Sequence, residues 1–139
     1  MAGSPQYVRD VVSAAASIAT ANTGRDGTGT LGTVYTARTA ANGGTGALIE
    51  FITVCATSTT TAGMVRLFVD DGTARLVREI AVSAITPSAT VKAFTIPTTE
   101  GADANGKLEV GIRLKPGDIL KASTHNAETF TVRAEGGEF

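Results

Sequence analysis

The stretch Met64–Val82, "MVRLFVDDGTARLVREIAV", has the pattern of a β-hairpin and decides the expected fold. In its first half, Val65, Leu67 and Val69 point to one face, and Arg66 points to the opposite, outward face. Such alternation over four to eight residues is typical of a strand with one buried face. The first half of the stretch therefore predicts a strand on the surface of a core.

A tight turn follows this strand. The sequence "DDGT" (Asp70–Thr73) contains an Asp-Gly pair between two alternating segments, which is a strong local signal for a hairpin. The returning segment "RLVREIAV" places Leu76, Ile80 and Val82 on one face. We therefore expect two antiparallel strands.

The same two-residue period recurs on both sides of the hairpin. Before it lie "LGTVYTA" and "GALIEFITVCAT" (Gly46–Thr57), and after it lie "TVKAFTI" (Thr90–Ile96), "KLEVGIRL", "ILKAS" and "ETFTVRA". The clearest alternation, in "KLEVGIRL", directs four apolar side chains inward: Leu108, Val110, Ile112 and Leu114. In "ETFTVRA" the inward set is Phe130, Val132 and Ala134.

No convincing amphipathic helix separates these segments. About eight short antiparallel strands in two sheets are expected, which predicts an all-β, jelly-roll-like β-sandwich. An immunoglobulin-like sandwich is the less favoured alternative, because the Cys…Trp…Cys pattern of those domains is absent.

Composition narrows the functional classes. The chain has 139 residues, 16 glycines, one cysteine and a formal net charge of −1. A nucleic-acid-binding protein usually has a basic face, so direct nucleic-acid binding is not expected. No secretory signal and no apolar run of membrane-spanning length is visible, so no membrane association is expected.

The first 25 residues differ from the rest. The segment "VVSAAASIATANTG" is apolar but consists of small side chains, and it fits neither a helix face nor a strand cleanly. We interpret residues 1–25 as an N-terminal arm, with at most one strand, that can lie across a neighbouring subunit. Residues 26–139 are then the β-sandwich domain.

The stretch "GTGTLG" (Gly27–Gly32) matches the spacing of a dinucleotide-binding loop. That loop needs a preceding strand and a following helix, whose N-terminus holds the pyrophosphate. The sequence that follows, "TVYTARTAANGGTG", is poor helix sequence, and Glu50, at the distance of the ribose-binding acid, lies inside a predicted strand. We therefore expect a glycine-rich joint that allows positive φ or close backbone approach, and no cofactor.

Catalytic chemistry has few candidates. His125 is the sole histidine and lies in a predicted loop, beside Ser123 and Thr124. Cys55 lies within a predicted strand, where a lone cysteine is most often a small buried filler. A nucleophile needs a base held beside it, and adjacency in sequence does not supply that geometry. We therefore predict that the protein is not an enzyme and assign no catalytic residue.

Two acidic turns faintly resemble calcium loops, Asp70-Asp71-Gly72 and Asp103-Ala104-Asn105-Gly106. Neither carries the remaining acidic ligands of an EF-hand loop, and turn formation explains both, so no metal site is assigned. Glycoside hydrolysis needs two carboxylates across a cleft, and the sequence places no two of Glu50, Asp70, Asp71 and Glu79 in that way.

Five arginines are predicted on outward faces: Arg66, Arg75, Arg78, Arg113 and Arg133. We expect them to serve solubility and cross-strand pairing, or to meet an acidic partner.

Three segments together resemble a known family. These are "NTGRDGTGTLGTVYTA", "GALIEFITVCATSTTTAGMVRLFVDDGT" and "LVREIAV", and the ending "AETFTVRAEGGEF" fits the same pattern. They are similar to capsid cement (decoration) proteins of tailed bacteriophages of the jelly-roll type, such as that of a Bordetella phage. The resemblance covers residues 22–138, through turn and strand signatures.

This resemblance implies a structural virion protein that binds the outer surface of an icosahedral capsid. Such proteins bridge neighbouring major capsid protein subunits and resist the pressure of the packaged DNA. The implied partners are the major capsid protein and further copies of the chain, as a homodimer or homotrimer. The protein would be made in the host bacterial cytoplasm. The alternative is a tail- or fibre-associated virion module that binds host surface glycans.

Overall fold

The computed structural model describes residues 9–139. In this part of the chain, eight strands alternate with turns, bends and two short 3-10 segments, Ala40–Asn42 and Thr98–Glu100. The strands are β1 Asp10–Ile18, β2 Gly32–Thr36, β3 Ala47–Ala56, β4 Gly63–Asp70, β5 Ala74–Val82, β6 Leu108–Leu114, β7 Ile119–Thr124 and β8 Phe130–Glu138. None of the helical segments in these residues is long and apolar enough to cross a membrane.

The strands form two four-stranded antiparallel sheets. Sheet A has the order β1-β8-β3-β6, and sheet B has the order β2-β7-β4-β5. Consecutive strands therefore alternate between sheets, except for the β4–β5 hairpin within sheet B. This is the eight-stranded order of a jelly roll, in which two Greek keys fold into a sandwich. The predicted all-β fold class is confirmed.

The decisive hairpin forms as predicted, with one change of face. β4 pairs with β5, but the register shifts between Leu67 and Phe68, so that Leu67 lies opposite Arg78 and Phe68 opposite Leu76. Since Leu67 points into the core, Phe68 and its partner Leu76 point to the outer face of sheet B. The prediction that Leu76 shares a face with Ile80 was wrong, because an extra residue in a strand reverses the alternation beyond it.

The predicted strand Thr90–Ile96 is not a strand. Its backbone makes an isolated antiparallel bridge between Thr95 and Cys55, and Phe94 accepts a hydrogen bond from the amide of Ala56. β6 begins at Leu108 opposite Ile52, so this loop continues the same sheet edge past the start of β6. The alternation arises because Phe94 and Ile96 pack into the core. A loop can bury two such side chains as well as a strand can.

The predicted boundary at residue 25 also needs correction. Asp10–Ile18 pairs with β8 over nine residues as an edge strand of sheet A, with Val12 and Ile18 buried in the core. Residues 10–18 therefore belong to the sandwich. Alanine and serine left the period ambiguous in the sequence, although the segment alternates between inward and outward positions. Residues 1–8 of the predicted arm lie outside the described residues.

The core lies between the two sheets. Phe94 and Phe130 meet edge to face, with ring centroids 6.3 Å apart. Aliphatic side chains from both inner faces supply most of the rest, including Ile49, Ile52, Val54, Val65, Leu67, Ile80, Leu108, Leu120 and Val132. Of the inward sets predicted for β6 and β8, five residues are buried: Leu108, Leu114, Phe130, Val132 and Ala134. The other two, Val110 and Ile112, are only partly buried against the core.

Candidate functional site

Residues 19–31, here called the covering loop, connect β1 to β2 and pack against sheet B. The amide of Asn22 donates to the carbonyl of Thr124, at the end of β7, over 2.8 Å. The Asn22 side-chain amide in turn donates to the carbonyls of Thr28 and Thr30, at 2.9 and 3.0 Å. Asn22 therefore both anchors the loop to the sheet and folds the loop back on itself.

Arg66 lies beneath this loop with only 1% of its side chain exposed. Its Nε donates to Glu79 Oε2 over 3.1 Å, and its Nη1 donates to the carbonyl of Asn22 over 3.4 Å. Both Nη atoms lie 3.3 Å from His125 Nδ1. A guanidinium can only donate, so His125 Nδ1 is the acceptor in these contacts. One buried cation thus joins three separate parts of the chain.

Glu79 completes this network. Arg25 of the covering loop donates through Nε to both carboxylate oxygens of Glu79, at 3.0 and 2.9 Å. Burial raises the pKa of Glu79, but the hydrogen bonds from Arg25 and Arg66 outweigh it and hold the pKa below its usual value. The network is therefore charged and paired at neutral pH.

The sequence predicted Arg66 as a solvent-facing residue, and that prediction was wrong. Alternation placed Arg66 on the correct face of its strand, but the covering loop excludes solvent from that face. Phe68, two residues along the same face, is likewise fully buried and is not part of the core between the sheets. Nothing in the hairpin's own sequence distinguishes a covered outer face from an open one.

The candidate catalytic residues do not assemble. His125 lies in the loop after β7, where it is half-buried and contacts Arg66. Ser123 Oγ is buried and has no hydrogen-bond partner among the described residues. The hydroxyl of Thr124 donates to the carbonyl of Asn126. Among residues 9–139, the structure therefore brings no hydroxyl into hydrogen-bond contact with the histidine.

The glycines of "GTGTLG" have a structural explanation. Gly27 and Gly29 adopt positive φ values of 83° and 80°. A Cβ on Gly27 would lie 2.2 Å from the carbonyl oxygen of Ala74, the first residue of β5. The motif leads into strand β2 and not into a helix. The prediction of a turn with close backbone approach is confirmed, and the contacted backbone belongs to the chain's own sheet B.

Cys55 corrects another expectation. Its neighbours Val54 and Ala56 point into the core, so Cys55 points to the outer face of sheet A and is exposed. The predicted role as a buried filler was wrong. A strand in a sandwich hides only alternate residues, and residue type alone did not show which phase Cys55 would take.

The two acidic turns are occupied by their own backbone and by nearby cations. Asp103 Oδ1 accepts from the amides of Asn105 and Lys107, and Asp70 accepts from the amide of Gly72 and from Lys121 Nζ. Asp71 pairs with Arg75 over 2.9 Å. Within residues 9–139, no group of three or more His, Cys, Asp or Glu side chains could hold a metal ion.

A third polar cluster joins the ends of β2 and β8. Glu138 is 2% exposed, and its Oε1 accepts from the Tyr35 hydroxyl over 2.6 Å and from the Arg38 amide over 2.7 Å. Burial, followed by the hydrogen bond to Glu138, raises the pKa of the Tyr35 phenol. This cluster connects β2 to β8. The second carboxylate oxygen, Glu138 Oε2, is buried 4.0 Å from Arg38 Nε and has no hydrogen-bond partner among the described residues.

The outer face of sheet A is open by contrast. Lys107 Nζ pairs with Glu135 over 2.9 Å and lies 5.6 Å from the centre of the Phe51 ring. Arg133, half exposed, pairs with the same carboxylate over 3.3 Å. A shallow groove runs between Phe51 and Val11, which is 82% exposed. This face carries exposed apolar and charged groups that a partner can reach.

A second depression, of about 530 Å³, lies among the loops between β5 and β6. Its lining mixes apolar residues such as Ile85, Ile96 and Pro97 with polar ones such as Lys92 and Asp103. It is open to solvent, and no aromatic side chain lines it.

Comparison of the chain with protein families, with curated proteins and with solved structures gives no match.

Proposed function

We propose that this chain is a structural virion protein that binds the outer surface of an icosahedral phage capsid and cements neighbouring major capsid protein subunits. The resemblance of residues 22–138 to phage cement proteins motivates the proposal. The observation that supports it best is the strand order, because the jelly roll with this order recurs in viral capsid domains.

The two outer faces suggest where such a protein would attach. The outer face of sheet B is covered by the chain's own loop. The outer face of sheet A exposes Arg133 and Val11 around a groove that half-buried Phe51 also lines. A flat sheet face suits attachment at many identical sites on a shell better than a deep pocket does. We assign capsid attachment to the outer face of sheet A.

The first experiment measures how many copies a purified virion contains and where they lie. A cement protein coats the head in many copies, and antibody labelling should therefore decorate the whole capsid. A few copies confined to the tail would overturn the proposal. That result would favour the alternative, a tail- or fibre-associated module for host glycans, for which the depression near Asp103 is the candidate site.

A matched pair of charge reversals tests the attachment face. Arg133 and Arg75 both form exposed ion pairs, the first on the outer face of sheet A and the second on β5 of sheet B. Arg133→Glu should lower the affinity for capsids lacking the protein by about tenfold or more, because interface charges set complementarity. Arg75→Glu should bind as the wild type does. Equal binding by both variants would contradict the assignment of this face.

A further inference from the structure

The sandwich has four edge strands, and they differ in how they are protected. β1 and β6 border sheet A, and β2 and β5 border sheet B. An edge strand presents unpaired backbone N–H and C=O groups, so natural proteins blunt it with bulges, charges or brevity. An unblunted edge is therefore a site where another strand can add.

Three of the four edges carry such protection. β2 is five residues long and shifts register between Thr33 and Tyr35. β5 is bulged opposite Leu67 and carries Arg75 and Arg78. β6 is interrupted at Gly111, which has a positive φ of 57°, and carries charges at both ends.

β1 carries none of these devices. It pairs with β8 over nine residues without a register shift, and its residues 11–17 are uncharged. Asp10, the single charged residue of the strand, is paired with Arg38. Within residues 9–139, no strand pairs with the other side of β1.

The sequence of β1 also indicates which strand would add. Val12-Ser13-Ala14-Ala15-Ala16-Ser17-Ile18 is a chemical palindrome centred on Ala15. We propose that β1 pairs antiparallel with β1 of a second copy of this chain, about a two-fold axis at Ala15. Residues whose numbers sum to 30 then lie opposite each other: Val12 with Ile18, Ser13 with Ser17, Ala14 with Ala16, and Ala15 with itself.

Burial along β1 agrees with this register. Val12 and Ile18 are buried and Ala14 and Ala16 are half-buried on the inner face, whereas Ser13, Ala15 and Ser17 are exposed on the outer face. In an antiparallel pair, opposite residues point to the same side of the sheet. The register therefore places apolar residues opposite apolar ones and serine opposite serine. The two A sheets join into one continuous sheet, and both outer faces remain open.

The main test is the oligomeric state of the purified full-length chain by sedimentation velocity over a range of concentrations. The wild type should be a dimer that dissociates on dilution. Ser13→Glu/Ser17→Glu places like charges opposite each other twice and should raise the dissociation constant about tenfold or more. Ser13→Glu/Ser17→Lys alters the same two exposed positions but creates opposite-charge pairs, so it should remain dimeric.

Cross-linking tests the register directly. In a Cys55→Ser background, Ala15→Cys places two thiols opposite each other across the axis and should give a disulfide-linked dimer on mild oxidation. Val77→Cys in the same background is the control, since Val77 is 48% exposed on the blunted edge of β5. It should remain monomeric in a reducing-agent-free denaturing gel.

A wild type that stays monomeric at all concentrations would overturn the proposal, and so would equal dissociation of the two double variants. Dimerisation through another surface would appear as a dimer that Ala15→Cys does not cross-link, and it would overturn the proposal too. These measurements use the purified chain alone. A failure of strand pairing therefore leaves capsid attachment untouched, and a failure of capsid attachment leaves strand pairing untouched.

Discussion

The outer faces of the two sheets are built from the same kind of alternating strand, yet they have become different environments. On sheet B, the covering loop packs over Arg66 and leaves 1% of its side chain exposed. The guanidinium contacts Glu79 and His125. On sheet A, Arg133 remains half exposed and pairs with Glu135. The outer face of sheet B is therefore shielded from solvent near Arg66, and the outer face of sheet A remains exposed to it.

The difference shows that the position of an arginine in a strand does not fix its energetic role. A buried guanidinium stabilises the fold only if every donor is paired, because an unpaired buried charge is costly. An exposed guanidinium is hydrated and contributes little, so it is free to serve a partner. The covered face therefore contributes to stability, and the open face is the one on which we propose binding.

The largest expected effect comes from removing the buried cation. Arg66→Ala should lower the free energy of unfolding by about 3 kcal/mol, because Glu79 and the Asn22 carbonyl lose a partner in a covered site. Arg133→Ala should cost less than about 1 kcal/mol, since its ion pair is solvated. Urea unfolding of both variants measures the difference. Similar losses would mean that the two faces are not energetically distinct.

A smaller effect is expected from the close approach of the covering loop to β5. Gly27→Ala should cost about 2 kcal/mol, because a Cβ at positive φ is strained and this one also meets the Ala74 carbonyl. Gly43→Ala is the control: Gly43 has a φ of 79°, but no atom lies within 4 Å of its Cβ position. It should therefore cost less than Gly27→Ala. If thermal unfolding gives the same cost for both, the contact with sheet B contributes nothing.

The smallest effect concerns acid stability. The pKa values of Glu79 and Glu135 are both lowered by folding, from an ordinary value of 4.5. Each carboxylate therefore stabilises the folded state fully above pH 4.5, and this contribution is lost as the pH falls through the lowered pKa. Glu79→Gln should flatten this acid dependence more than Glu135→Gln, because one partner of Glu79 is the buried Arg66.

Added salt provides the control for this prediction. The contribution of Glu135 depends on the exposed cations Lys107 and Arg133, so salt should weaken it strongly. The contribution of Glu79 should persist in salt. Unfolding curves from about pH 6 downward measure both effects. They are recorded at a low ionic strength and at one high enough to screen exposed charges. Equal salt sensitivity would show that the covering loop does not shield the Arg66 network.

Particular residues show how far the sequence could predict this structure. The alternation of Leu108, Phe130 and Val132 identified their strands and their buried faces, because a period of two is a local property. The alternation around Phe94 was equally clear, but Phe94 lies in a loop. Its neighbour Thr95 makes only one isolated bridge, to Cys55 of β3. Local pattern therefore predicted burial better than it predicted hydrogen bonding.

The candidate site was harder to predict, because its contacts join residues that are far apart in the sequence. The glycine spacing of "GTGTLG" matches a dinucleotide-binding loop, but the residues after it correctly predicted a strand rather than a helix. It could not show that Gly27 contacts Ala74, a residue 47 positions away. The exposure of Cys55 and the burial of Arg66 depend on which loops cover which face, and no local pattern encodes that.

The sequence by itself determined the all-β class, the hairpin at Asp70–Thr73 and the need for glycine in the covering loop, because strand period and turn chemistry act between neighbours. Only the tertiary structure decided that residues 10–18 complete sheet A, that Arg66 is buried and that Cys55 is exposed. These outcomes depend on long-range pairing and on the packing of a loop against a sheet. Each is set by the free energy of the whole sandwich rather than by the residues next to it.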